Sequence, residues 1–446
     1  MKRLRGRREE ILTIMGILST WGGVDVGRIY EVCKKLVPPP VRDALRQPWR
    51  DLLLSGVRRG GYKRGAREEG MNLIGLFRSE SGLGQGCRLL AGAMEASGVP
   101  FDAVSYHFDC SKMGASGFEG RMAPGGDARY GVNVAQMTVD GVAPAVVRMG
   151  RNFWRGRYNI AHFSWELPAL PKRWRRQDSF FDEIWTTSAF SAGALQAALD
   201  RPVYVIPYGI KASAAKGLGR SFFVLPEKDF LFLFMYDVNS VIERKNPMGV
   251  VRAFQEAFKK GERGVGLVVK INDHLRLGTG LEDLKAAING WGNIRILDEI
   301  YRKEEVDALV SACDAFVSLH RAEGYGLSIA EAMLLGKPVV VTGWSGNMEF
   351  TNEENSCVVD YELVKIGRTR SMYDWWQYWA EPDIKEAAGY MRRLREDGGY
   401  REAVGAAGRR TIERTQSVDR SAREMRRRME RITGCSWSAS IEDKEM

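Results

Sequence analysis

Ala315 to Glu331 reads AFVSLHRAEGYGLSIAE. Its first five residues form a short apolar run with the length of a buried strand. His320 to Gly326 then brings charge and glycine, as a loop does. A helical pattern over 327–335 follows and stops at Gly336. Lys337-Pro338 and a second apolar run at 339–342 complete the unit. Strand, loop, helix and strand in this order belong to an α/β protein. The N–H groups at such a helix start face outward and hold anions. Two carboxylates, Glu323 and Glu331, bracket the Gly-Tyr-Gly turn, so the stretch predicts a phosphate-bearing ligand beside two acids. The spacing alone decides nothing, because Glu354 and Glu362 repeat it in the same chain.

The rhythm of this stretch extends in both directions. Apolar runs at 72–77, 103–108, 132–137, 159–163, 183–187 and 203–206 alternate with helical stretches. A second set lies at 230–235, 265–271, 294–297, 315–319, 339–342 and 356–359. Strands alternating with helices build parallel sheets from βαβ units. Two sets predict two doubly wound, Rossmann-like domains facing a cleft. The expected division is a basic extension at 1–70, a first domain at 71–210, a linker at 211–225 and a second domain at 226–385. Arg-rich helices at 386–432 pack back toward the first domain, with Gly398-Gly399 and Gly405 breaking the run. Residues 433–446 form a tail.

The chain has 446 residues and a formal net charge of +10. Residues 1–70 hold 16 Lys and Arg against 8 Asp and Glu, so this segment carries +8 of that charge. A basic arm of this kind meets anionic headgroups at a membrane surface or remains a solvated extension. Aromatic residues do not interleave with the charge, which argues against a nucleic-acid platform. No run of eighteen apolar residues exists, and Glu9 and Glu10 interrupt the basic start, so neither a spanning helix nor an export leader is expected. The six cysteines are scattered without metal-site spacing and read as reduced thiols in a cytoplasmic protein. No Asp-x-Asp or paired His suggests a metal site, and no cofactor is expected.

Three further stretches carry chemistry. Ser79 to Gly86, SESGLGQG, follows the first strand, and Gly82, Gly84 and Gly86 let a backbone approach a phosphate or a sugar ring. A dinucleotide site here would draw on Asp102 or Asp109 as the ribose acid, although the glycine spacing departs from G-x-G-x-x-G. His162 to Pro168, HFSWELP, follows the fourth strand, where open α/β sheets bind ligands. In it, the acid Glu166 beside an indole needs a partner. Glu243 to Pro247, ERKNP, follows the first strand of the second set, with Asn246 as N-cap and Pro247 in the first turn. Arg244 and Lys245 ahead of that helix oppose its dipole, by a few tenths of a kcal/mol, unless an anion binds there.

These motifs together resemble glycosyltransferase family 4 of the group 1 type, over about residues 71–432. In that family two glutamates with seven residues between them flank a Gly-aromatic-Gly-Leu turn. The resemblance implies a GT-B fold and retaining transfer from a UDP- or GDP-linked sugar to a glycan or lipid-linked glycan, as in polysaccharide biosynthesis. It implies that Glu331 holds the ribose hydroxyls, that Glu323 lies by the donor sugar, and that Lys245 binds the diphosphate. The amides of Gly324, Tyr325, Gly326 and Leu327 hold what lies beyond, with Asn347 lining the same cleft. His162 and Glu166 contact sugar or acceptor, and the Gly82–Gly86 loop lies near diphosphate and acceptor. The family's Gly-Arg after the strand is replaced by Tyr236-Asp237, which leaves Arg244 or Lys270 as the second cation. That departure keeps a non-catalytic nucleotide-sugar-binding scaffold as the alternative, ahead of a dinucleotide-dependent oxidoreductase. The expected location is the cytoplasm, with residues 1–70 at the inner face of the membrane.

Overall fold

A computed structural model describes Leu54, Val57 and residues 59–438, apart from 107–113, 116, 124–127, 175–176, 239 and 273–280. Most of the basic extension, Asp109 and the last eight residues lie outside the described residues. In chain order the first half holds β1 (Glu68–Gly75), α1 (Gly82–Ser97), β2 (Phe101–Ser105), β3 (Tyr130–Gln136), α2 (Val142–Met149), α3 (Arg151–Trp154), β4 (Tyr158–His162), β5 (Glu183–Thr186), α4 (Ala189–Ala198) and β6 (Val203–Val205). The second half holds β7 (Phe230–Asp237), α5 (Ile242–Lys245), α6 (Pro247–Ala257), β8 (Val265–Asn272), α7 (Leu281–Ala287), β9 (Ile294–Asp298), α8 (Lys303–Ala312), β10 (Ala315–Ser318), α9 (Leu327–Leu334), β11 (Val339–Thr342) and β12 (Cys357–Val359). The hairpin β13 (Tyr361–Lys365) and β14 (Tyr378–Pro382) follows, then α10 (Ile384–Glu396), α11 (Gly398–Thr415) and α12 (Val418–Thr433).

Each expected apolar run is a strand. The first six form one parallel sheet in the order β2-β1-β3-β4-β5-β6, and the next six a second in the order β12-β11-β10-β7-β8-β9. Parallel strands covered by helices on both faces bury both sets of side chains, which explains their unbroken apolar runs. Phe232, Leu233, Phe234, Val268 and Val269 are all buried accordingly. The order of the second sheet reverses between β7 and β10. Chain leaving those neighbours departs to opposite sides and opens a crevice at their C-terminal ends. Lys245 follows β7 and Glu323 follows β10, so topology alone places both residues at that crevice.

Residues 206–229 join the two sheets without helix or strand. The chain later returns to the first sheet: α12 packs on α1, Ser421 Oγ donates to Pro207 O at 2.6 Å, and Arg428 pairs with the buried Glu183 of β5. Gly405 does not break this run of helices. It lies inside α11, where a Cβ would sit 2.4 Å from the carbonyl of Gly336, so the glycine allows close approach to the turn after α9. The β13–β14 hairpin was not expected. It is antiparallel, separate from both sheets, and its Val364 and Trp379 pack into the core of the first domain.

Candidate functional site

Asn246 turns the chain after β7. Its backbone is left-handed at φ 57°, and its side chain accepts from Gly249 N at 3.1 Å to cap α6, which begins at Pro247 as expected. The amide of Asn246 also donates to Leu319 O at 2.8 Å, tying this turn to the end of β10. The two cations before it are not a strain on α6. They occupy the last turn of the short helix α5, where positive charge is favourable, and both reach Glu323. Lys245 Nζ lies 2.5 Å from Glu323 Oε1, and Arg244 Nη1 lies 3.2 Å from Oε2. Burial raises the Glu323 pKa, but Lys245 and Arg244 outweigh it and bring the carboxyl down to about 2. Burial pulls Lys245 down from the usual lysine range, and Glu323 opposes that shift.

The Gly-Tyr-Gly turn is held from both domains. Ser188 caps α4 and its Oγ donates to Gly324 O at 2.7 Å. Ser191 Oγ donates to Trp165 O at 2.6 Å and also reaches Gly324 O at 3.3 Å. On the other side Glu323 N donates to Ser345 Oγ at 2.8 Å, and Gly346 N donates to Glu323 O at 2.8 Å. A Cβ on Gly346 would lie 2.2 Å from Gly324 O, so only glycine lets this second loop close on the turn. Gly326 adopts φ 95° and starts α9. Among the described residues, the N–H groups of Tyr325, Gly326 and Leu327 meet no acceptor. That leaves the positive end of α9 open.

Glu331 lies one turn into α9 and is 7% exposed. It is held by Lys303 Nζ at 3.0 Å, from the start of α8, and by Gln85 Nε2 at 3.2 Å, from α1 of the first domain. Lys303 also pairs with Asp307. Burial raises the Glu331 pKa, and Lys303 offsets part of the rise. Neither Lys303 nor Gln85 was anticipated, because each partner comes from an element far away in sequence.

Gly82, Gly84 and Gly86 are not a loop but the opening turns of α1, capped by Ser81. A Cβ on Gly84 would meet Ser79 O at 2.0 Å, and one on Gly86 would meet the Tyr208 hydroxyl at 2.5 Å, whereas Gly82 faces open space. Two of the three are therefore packing residues, and Gly82 alone leaves room for a ligand. Asp102 sits at the opposite, N-terminal end of β2 and is paired with Arg129 through two contacts at 2.5 and 3.0 Å. It is no ribose acid, and Asp109, the other candidate, lies outside the described residues.

His162 ends β4 with its ring 1% exposed and beside Tyr208, at 5.7 Å between centroids. Tyr208 in turn meets Tyr325 edge-on at 5.3 Å, so a chain of rings links His162 to the turn. Burial lowers the His162 pKa to about 4, and the ring is neutral. Glu166 finds its partners in the second domain: the phenol of Tyr373, from the β13–β14 connection, and the charge of Arg244. Burial holds its pKa up, and Arg244 opposes that rise. Trp165 beside it is fully buried against Trp174 and Tyr373. Arg244 is itself buried and donates to Ala322 O at 2.7 Å, while Lys270 lies under the Tyr301 ring. Arg244 thus faces Glu323 and Glu166, and Lys270, on β8, faces the charges of Asp237 and Asp298. Asn347 does not line the cleft through its amide. That group is buried between Thr342 O, Thr351 Oγ1 and His320.

Residues 220–364 match the family model of glycosyl transferases group 1. No curated protein sequence matches the chain. Among solved structures, Anabaena HepE in complex with UDP and glucose superposes with a TM-score of 0.61 at 14% identity, over 82% of this chain and 100% of that one. Sucrose-phosphate synthase from Thermosynechococcus elongatus gives 0.60 at 15% identity, over 83% and 100%. A glycosyltransferase from Rickettsia africae gives 0.59 at 14% identity, over 83% and 100%. At these identities the likeness establishes the fold, two Rossmann-like domains in the GT-B arrangement. The family match, over residues 220–364, covers the segment that carries Lys245, Glu323 and Glu331.

Proposed function

We propose that the protein is a retaining glycosyltransferase of family 4 that moves a hexose-type sugar from a UDP- or GDP-linked donor to a glycan or lipid-linked glycan. The observation that carries this reading is the convergence of Lys245, Glu323 and the open amides of α9 at the β7/β10 switch point, with Glu331 one turn further on. A diphosphate there meets a lysine and a helix N-terminus, both of which stabilise the charge that grows on the leaving group. The two oxygens of Glu331 match a vicinal ribose diol once Lys303 and Gln85 yield. Glu323, ionised and fixed by two cations, accepts hydrogen bonds from sugar hydroxyls. A uridine nucleotide is supported by the UDP-bound HepE structure, whose fold this chain shares.

The acceptor lies on the first-domain side, against the loop of His162 and Glu166. Domain contacts through Gln85, Ser188 and Tyr373 exclude water from the reacting centre and favour transfer over hydrolysis. The +8 charge of residues 1–70 supports a position at the cytoplasmic face of a membrane, where lipid-linked acceptors reside. Incubating the protein with a panel of UDP- and GDP-sugars and following the anomeric proton of the product by NMR tests the reading. A product with the donor's anomeric configuration is expected, and an inverted one contradicts retention. A second reading, a nucleotide-sugar-binding scaffold, is favoured by the ion pairs that occupy Lys245 and Glu331 and by Asp237 in place of the family's arginine. Donor binding without transfer or slow donor hydrolysis would favour it.

A further inference from the structure

We propose that the connection between β13 and β14 is a carbohydrate-binding platform, holding those residues of an acceptor glycan that extend beyond the cleft. The proposal rests on the glycosyltransferase reading above and adds the acceptor's class, a neutral oligosaccharide of several residues. The C-terminal part of the segment is anchored at two points on the first-domain loop that carries Glu166. Tyr373 packs 5.4 Å from Trp165 and neighbours the Glu166 carboxyl, and Gln377 Nε2 donates to Ala169 O at 2.5 Å. Between these anchors stand Trp375 and Trp376, which are 57% and 36% exposed. Tyr378 and Leu363, also exposed, continue the surface along the hairpin, with Lys365 over the Tyr378 ring at 5.8 Å.

Two adjacent tryptophans left in water beside a cleft are costly unless something covers them. Indole faces offer electron-rich apolar surfaces to the C–H groups of pyranose rings, while their N–H groups pair with hydroxyls. Charge argues for a glycan over a lipid surface. Residues 361–382 hold three cations, Lys365, Arg368 and Arg370, and three acids, Glu362, Asp374 and Glu381. Arg370 is paired with Glu243, and Glu381 with Arg321, so the segment offers anionic headgroups no net attraction. A chain leaving Glu166 meets the tryptophans within three residues of Tyr373, whereas the basic arm is a separate part of the sequence.

Affinity electrophoresis of the full chain through native gels containing dextran, a soluble β-1,3-glucan or a mannan tests the platform. Companion measurements are calorimetry with UDP and GDP, and sedimentation with phosphatidylglycerol–phosphatidylethanolamine vesicles. At least one polysaccharide is expected to retard the protein. The W375A/W376A double variant is expected to lose that retardation by about tenfold in apparent affinity, as for loss of two stacking aromatics, and W375F/W376F to keep much of it. Nucleotide binding stays the same in all three. The proposal is overturned if no polysaccharide retards the wild type, if the double variant is retarded equally, or if the double variant loses only vesicle binding. Absence of UDP and GDP binding in every form would instead remove the donor reading and leave the platform to stand on the gels.

Discussion

Glu323 and Glu331 lie on the same strand–turn–helix unit, both buried, and their surroundings are opposite. Glu323 is satisfied within its own domain by Lys245 and Arg244, which hold it ionised. Glu331 is reached by Lys303 of its own domain and by Gln85 of the other, and burial keeps its pKa high. The first acid is part of a fixed electrostatic frame. The second is a contact between domains, and under the proposed function its partners give way when a ribose arrives. A buried ion pair within one domain positions charge, whereas a carboxylate shared across a cleft couples binding to closure.

Breaking the frame is expected to have the largest effect. Lys245→Ala removes the lysine that the proposed function sets against the diphosphate and leaves Arg244 as the cation paired with Glu323. Turnover in a sugar-transfer assay should fall about 100- to 1,000-fold, comparable to loss of one transition-state donor. Stability separates the two acids next. Glu323→Gln should destabilise the protein at pH 7 by up to about 3 kcal/mol, from a carboxyl pKa held at about 2 against an ordinary 4.5. Its folded pKa is depressed, so that stability is present above pH 4.5 and is lost as pH falls toward 2. Wild type and variant should therefore converge in acid denaturation curves. Glu331 is raised, and the sign reverses: its ionised form weakens the fold above pH 4.5. Glu331→Gln should leave the melting temperature at pH 7 unchanged or higher.

Smaller effects sharpen the contrast. Glu331→Ala should raise the donor KM by about tenfold or more at similar turnover, since a ribose contact is made in ground and transition states alike. Gln85→Ala removes a hydrogen bond at the domain contact without touching the frame. It should change donor KM only about two- to fivefold, at the low end of the net worth of a single hydrogen bond. Steady-state kinetics over a donor series checks both.

Much of this was legible before the fold was known. All twelve parallel strands follow from apolar runs, because a strand buried on both faces leaves a continuous signal. The Asn246-Pro247 helix start was equally plain. The β13–β14 hairpin was not, since its strands are short, half exposed and separated by a Trp-rich stretch without period. The glycines of Ser79 to Gly86 looked like a ligand loop. Gly84 and Gly86 instead answer to Ser79 O and Tyr208, contacts that a local reading cannot contain. Arg244 and Lys245 seemed unsuited to the start of α6 because the intervening short helix α5, whose end they favour, was invisible at that length. Lys303, Gln85 and Tyr373 escaped notice for one reason: each meets its acid through tertiary structure alone.

The central claim is that the second domain holds a nucleotide-sugar diphosphate between Lys245 and Glu331. Isothermal titration calorimetry with UDP and GDP measures this directly on wild type, Lys245→Ala and Glu331→Ala. The account predicts one-to-one binding of at least one nucleotide, weakened about tenfold or more in each variant. Equal affinity in all three proteins would contradict it.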